Sequence, residues 1–137
     1  ITRRQVYRVT TIILTLILQY PFLSYKSNND HYLGYINAVK CNVEMIDYCC
    51  DLEINDKSVF AYFNTSRIIT NPLSGYVTEK EKFSNIKTVF STKHDYFIFS
   101  NYDTPKDQWP LRNSPDLQLI KRIEKKQAWI ELYKSIR

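Results

Sequence analysis

The sequence predicts an α+β protein in which an N-terminal hydrophobic, transmembrane helix precedes a small antiparallel β-sheet and a C-terminal amphipathic helix. Three observations carry that expectation. Residues 9–25 hold no charged side chain between Arg8 and Lys26. Several short segments between residues 41 and 100 alternate apolar with polar residues or are dense in β-branched and aromatic ones, the pattern of half-buried strands. Ser114-Pro115-Asp116 then opens a stretch whose apolar residues recur at helical spacing.

The N-terminal run is read first because it sets the environment of the rest. Its 17 uncharged residues would span roughly 25 Å as a helix, near the lower limit for a bilayer core. Ile12, Ile13, Leu14, Leu16, Ile17 and Leu18 leave no broad polar stripe, so such a helix must be enclosed by lipid or by protein. Tyr7 on one side and Tyr20 and Tyr25 on the other suit the two membrane interfaces. Arg3, Arg4 and Arg8 place the N-terminus on the cytoplasmic or matrix side of a bacterial or mitochondrial inner membrane. Two competing readings are a buried core helix and a signal peptide, and Pro21 shortens the span if it ends the helix. Ile1 stands where an initiator methionine would, which suits a processed or partial chain.

Residues 1–26 are therefore assigned to the anchor and 27–31, polar and rich in asparagine, to a linker. Residues 32–100 are assigned to the sheet. "CNVEM" sets Cys41, Val43 and Met45 against Asn42 and Glu44; "CDLEI" sets Cys50, Leu52 and Ile54 against Asp51 and Glu53; "VFAYF" puts Val59, Ala61 and Phe63 on one side. These three segments predict an antiparallel meander. "NIKTVFS" and "YFIFS", joined by "TKHD", predict a second hairpin. Residues 101–113 contain Pro105 and Pro110 and are assigned to a loop. Residues 114–137 form the predicted C-terminal helix, with Ser114 as cap, Pro115 at its first position and Asp116 near its positive end. Ile123, Ile130 and Tyr133 would line one side of it and Lys121, Arg122, Lys125 and Lys126 the other.

Function is constrained mainly through surfaces. Two glycines, Gly34 and Gly75, are too few for a glycine-rich phosphate cradle. The net charge of +5 is concentrated in the first eight residues, so the rest is nearly balanced and nucleic acid is disfavoured as a partner. Cys41, Cys49 and Cys50 lack metal-ligand spacing; buried free thiols are the main expectation and a Cys41–Cys49 disulfide the alternative. His94 beside Asp95 has the types of a general base and its orienting acid, but a turn explains them more simply. The pairs Asp51 with Glu53 and Glu79 with Glu81 read as solvated faces, and Asn64-Thr65-Ser66 fits a glycosylation acceptor.

No catalytic, cofactor-binding or metal site is assigned. The expected role is that of a non-catalytic accessory or structural subunit of a membrane complex, held in the bilayer through residues 9–25 and touching other subunits. Its candidate contact residues are Trp109, Trp129, Tyr102 and the basic set Lys121, Arg122, Lys125 and Lys126. The competing expectation is a soluble α+β module whose basic C-terminal helix contacts RNA or an acidic protein surface.

Overall fold

In the computed structural model, which describes residues 34–137, the order along the chain is α1 (Gly34–Asp51), β1 (Val59–Ala61), α2 (Phe63–Thr70), a 3-10 turn (Pro72–Ser74), β2 (Ile86–Lys87), β3 (Tyr96–Ser100), a 3-10 segment (Lys106–Asn113), β4 (Leu117–Lys125) and β5 (Ala128–Ser135). The fold is α+β. Its sheet is mixed, ordered β2-β1-β3-β5-β4: β1 runs parallel to both β2 and β3, whereas β3–β5 and β5–β4 are antiparallel. The proposed anchor at residues 9–25 and the linker lie outside the described residues. Among the described residues no helix is long and apolar enough to cross a membrane.

Side-chain alternation divides the sheet into two apolar layers. Val59, Ala61, Ile98, Ile130 and Leu132 face one way and pack with Ala38, Cys41, Met45, Ile46 and Cys49 of α1 and Ile69 of α2. Phe60, Phe97, Phe99 and Tyr133 face the other way, packing with Phe90, Leu111 and Trp129. Phe60 meets Phe90 edge-on at 5.5 Å, and Phe99 meets Tyr133 edge-on at 5.7 Å, the offset geometry that ring quadrupoles favour. Each fully buried large side chain is worth about 2–3 kcal/mol of transfer free energy, so these layers are the main reason the fold holds.

Three sequence expectations are corrected. The strands expected at "CNVEM" and "CDLEI" are instead helix α1 and its exit. Over twelve residues the buried positions Ala38, Cys41, Met45, Ile46 and Cys49 follow three-four spacing, while Val43 and Leu52 of the supposed strand faces are exposed. Alternation over five residues was too short to separate the two periods. The helix ends in a Schellman motif: Ile54 N–H donates to Cys49 O (3.3 Å) and Glu53 N–H to Cys50 O (2.9 Å), with Glu53 left-handed at φ 54°. Glycine usually occupies that place, which is why the stop was invisible in the sequence.

The second hairpin is also absent. "YFIFS" is indeed β3, but "NIKTVFS" supplies only the two-residue β2, and both join β1 in parallel rather than each other. At residues 101–113 the expected loop contains a 3-10 segment with Pro110 inside it.

Most consequential is the C-terminus, where the predicted helix over 114–137 is a β-hairpin. Ser114 O accepts from Leu117 N–H (3.1 Å), so Ser-Pro-Asp-Leu is a turn with proline in its second place, a position that suits proline as well as a helix start does. Ala128, Ile130 and Leu132 alternate strictly in β5, but a bulge between Leu119 and Lys121 breaks the alternation in β4. The extra residue leaves Leu119, Ile120 and Ile123 at spacings that imitate a helix. A two-residue turn, Lys126–Gln127, closes the hairpin, its first residue at φ 56°.

Candidate interaction surface

The hairpin redistributes the basic residues that a helix would have gathered. In β4, Lys121 and Lys125 stand opposite Leu132 and Ala128 and share their side of the sheet, facing α1. There the Lys121 ammonium lies 5.1 Å from the centre of the Tyr48 ring and Lys125 pairs with Glu44 at 2.7 Å. Both lysines hold α1 against the sheet rather than await a partner. Lys126 is spent on the turn. Arg122, one residue out of phase, stands opposite Glu131 on the other side. The single basic face expected from the sequence is therefore not formed.

What the fold does assemble is a Trp–Arg–Glu cluster on Arg122's side. The Trp109 and Trp129 rings meet edge-on at 5.6 Å, Trp109 carried by the 3-10 segment and Trp129 by β5. The Arg112 and Arg122 guanidinium carbons lie 4.8 and 5.4 Å from the centre of the Trp129 ring. Both arginines also reach Glu131: Arg112 Nη1 donates to Oε2 at 3.2 Å and Arg122 Nη1 donates to Oε1. The Tyr133 hydroxyl donates to the same Oε2 at 3.0 Å, and Arg122 Nε and Nη2 reach Glu124 Oε2 at 3.1 and 2.9 Å. Trp109 Nε1 donates to Thr104 O at 3.0 Å.

The Glu131 side chain is only 4% exposed, so an ionised carboxylate there needs these three donors. Burial, then the hydrogen bond and the charge of Glu131, push the Tyr133 phenol up to about 12. Glu124, followed by Glu131, holds the Arg122 guanidinium above its ordinary value. The ionic groups satisfy one another, and the two indoles remain half-buried with their orientations fixed. That is an amphipathic surface, built from the residue types that concentrate binding energy at protein contacts.

The structure brings together Trp109 and Trp129, expected as separate contact rings, and Arg122, expected on a basic helix face, while Arg112, Glu131 and Tyr133 were missed. Their signal was the period-two series Trp129, Glu131, Tyr133, hidden once the segment was taken for a helix. Tyr102 belongs to the other layer, where its hydroxyl donates to Asn42 Oδ1 at 3.0 Å and burial, ahead of Cys41 and Asp103, raises its pKa.

The remaining candidates have structural work. Cys41 and Cys49 are free thiols on α1, eight residues apart, hence about 12 Å along the axis and outside bridging range. Burial, then Cys50, pushes the Cys49 thiol up to about 12. His94 Nε2 is 3.1 Å from Val89 O, which can only accept, so Nδ1 is the acceptor for the Ser58 hydroxyl at 3.0 Å. Asp95 Oδ2 accepts from Ser58 N–H at 3.0 Å rather than from His94. Nδ1 thus ties the 89–95 segment to the start of β1, while Nε2 closes residues 89–94 on themselves. Asp51, Glu53, Glu79 and Glu81 are exposed, as expected. Asn64-Thr65-Ser66 lies in the first turn of α2 with Thr65 and Ser66 buried. Among the described residues no three His, Cys, Asp or Glu side chains converge as metal ligands.

No protein-family model, curated protein or solved structure matches this chain.

Proposed function

We propose that this chain is a non-catalytic accessory subunit of a membrane protein complex. It is held in an inner membrane by residues 9–25, with its N-terminus on the cytoplasmic or matrix side, and it presents the Trp109–Trp129 surface to a neighbouring subunit. The observation that supports this best is the arrangement of Trp109, Trp129, Arg112 and Arg122 around one buried carboxylate. Side chains already fixed in one geometry lose little entropy on docking, so such a surface binds more strongly than its area alone implies. The uncharged run of 17 residues supports the anchor. The competing reading, a soluble module docking through a basic C-terminal helix, loses its contact element because residues 117–135 are a hairpin.

The test uses the intact chain in its native membrane. Native electrophoresis after mild detergent extraction should place it in an assembly far larger than its own 16.4 kDa. The Trp109→Ala/Trp129→Ala double variant should fall out of that assembly while remaining in the membrane after alkaline carbonate washing. Migration of the wild-type chain as a monomer, or its release by carbonate, would defeat the proposal.

A further inference from the structure

A second feature lies at the other end of the sheet, beside the start of β3 and the end of β5. A cavity of about 320 Å³ opens there, with Lys93, Asp95, Lys134 and Arg137 on its walls. The fold builds it from two segments: Tyr96 and Lys134 are register partners, Ser135 N–H donates to Asp95 O at 2.9 Å, and Arg137 Nη1 donates to Thr92 Oγ1 at 2.9 Å. The volume is in the range of small-molecule sites, of roughly 300 Å³ and more.

The charges do not balance within it. Arg137 is neutralised by its ion pair with Asp116. Among the described residues, neither Lys93 nor Lys134 has an acidic partner within ion-pair distance, although both border the same cavity. Lys93, Lys134 and Asp95 all border the cavity, and Asp95 Oδ2 already accepts from Ser58 N–H. A purely anionic ligand would be drawn by the lysines and repelled by Asp95. A ligand that also carries a hydroxyl next to its anionic group turns that repulsion into a hydrogen bond, because an ionised carboxylate is an acceptor with lone pairs to spare. Thr92 Oγ1, which accepts from Arg137, retains its own O–H as a further donor to an anion.

We infer that this cavity binds a small phosphate monoester bearing a neighbouring hydroxyl, with Lys93 and Lys134 on the phosphate and Asp95 on the hydroxyl. The inference does not depend on the subunit contact proposed above. The chemistry has two sources, a water-soluble polyol phosphate or a phosphorylated inositol lipid headgroup.

Calorimetric titration of the full chain in non-ionic detergent, with glycerol 3-phosphate, inorganic phosphate and dibutanoyl phosphatidylinositol 4-phosphate as the three probes, tests it. Saturable binding at about 1 mM or tighter is expected for at least one of the two hydroxyl-bearing probes, and weaker binding for inorganic phosphate. Lys93→Ala and Lys134→Ala should each weaken it about tenfold, the scale of one charge-assisted hydrogen bond, and Lys134→Arg should retain it. Asp95→Asn should bring inorganic phosphate level with the preferred probe. Both lysines lie on the surface, and an unchanged thermal transition in each variant separates lost binding from lost folding. Binding of the lipid probe alone, with the same lysine dependence, supports the site and assigns it to a headgroup. The inference is overturned if no probe saturates, if binding survives loss of both lysines, or if inorganic phosphate binds as well as the hydroxyl-bearing probes.

Discussion

Substituting Glu131→Gln tests whether the carboxylate really organises the Trp–Arg surface. The change is isosteric, leaves no cavity, and preserves an oxygen for the Tyr133 hydroxyl; it removes the charge between Arg112 and Arg122 and turns the oxygen facing Arg122 into an NH2 that cannot accept from it. Stripping one partner from a fully buried ion pair costs about 3–5 kcal/mol. Here the Arg112 and Arg122 side chains are 27% and 41% exposed, so water recovers part of their solvation and about 2 kcal/mol is expected. Urea unfolding should show a midpoint lowered by about 1 M at unchanged slope, and thermal unfolding a drop of about 6–10 °C for a domain of this size. The same substitution at Glu124, whose side chain is 53% exposed, should stay within about 0.5 kcal/mol. A second reading comes from alkaline pH. With Tyr133 held up to about 12 in the folded protein, against about 10 in the unfolded chain, the folded state binds the extra proton. Stability is thus intact below pH 10 and falls as pH rises from 10 towards 12. Burial persists in Glu131→Gln while the carboxylate's repulsion of the phenolate is lost, so that alkaline decline should narrow. A Glu131→Gln protein within 0.5 kcal/mol of wild type, with an unchanged alkaline decline, would refute the claim that this carboxylate organises the two arginines.

The other predictions concern the supports of that surface. Asp103 caps α2 from a distance, its Oδ1 and Oδ2 accepting from Asn64 and Thr65 N–H at 3.2 and 2.8 Å; Asp103→Ala should cost about 1–2 kcal/mol in chemical denaturation, and a loss under 0.3 kcal/mol would show that water replaces the cap. Glu53→Gly should stabilise by about 0.5–1 kcal/mol, since the left-handed place suits glycine; destabilisation would rule out that helix exit. The three thiols should react slowly with a disulfide reagent at pH 8, Cys50 first, because burial raises all three above the usual thiol range. Electrophoretic mobility of the denatured chain should be the same with and without reductant, and a shift would restore the disulfide.

How far the sequence disclosed this fold depended on the length of chain over which its periodicity stayed regular. β1 and β3 were recognised because "VFA" and "YFIFS" are short, dense in β-branched and aromatic residues, and bounded by polar turns. Their partners were not, since parallel pairing links segments far apart and leaves no turn between them to betray it. α1 failed because "CNVEM" and "CDLEI" are windows of five residues in which period two and period 3.6 coincide. The C-terminal hairpin failed for a sharper reason: one bulge residue at Ile120 shifted the alternation, and Ser114-Pro115-Asp116 serves a turn as readily as a helix. The surface was half legible. Trp109 and Trp129 were named for their ring chemistry and Arg122 for a basic helix face that does not form; Glu131 became visible only when strand pairing placed it opposite Arg122.

That pairing also explains how one short basic run supports two different layers. On a strand, neighbours in sequence face opposite ways, so Lys121 and Lys125 lock α1 onto one side while Arg122 joins Glu131 and Trp129 on the other. β4 is the outermost strand on its side of the sheet and is nine residues long, an edge that would invite pairing with another chain were it flat and apolar. Its lysines, Arg122 and the bulge before Lys121 are the devices that discourage such pairing. The open edge of the strand is therefore poorly suited to pairing with another chain. Lys121→Val should test this: the edge becomes more apolar, the Tyr48 contact on the α1 side is lost, the Trp129 side is untouched, and the result should be self-association seen by light scattering with the Trp109–Trp129 pair intact.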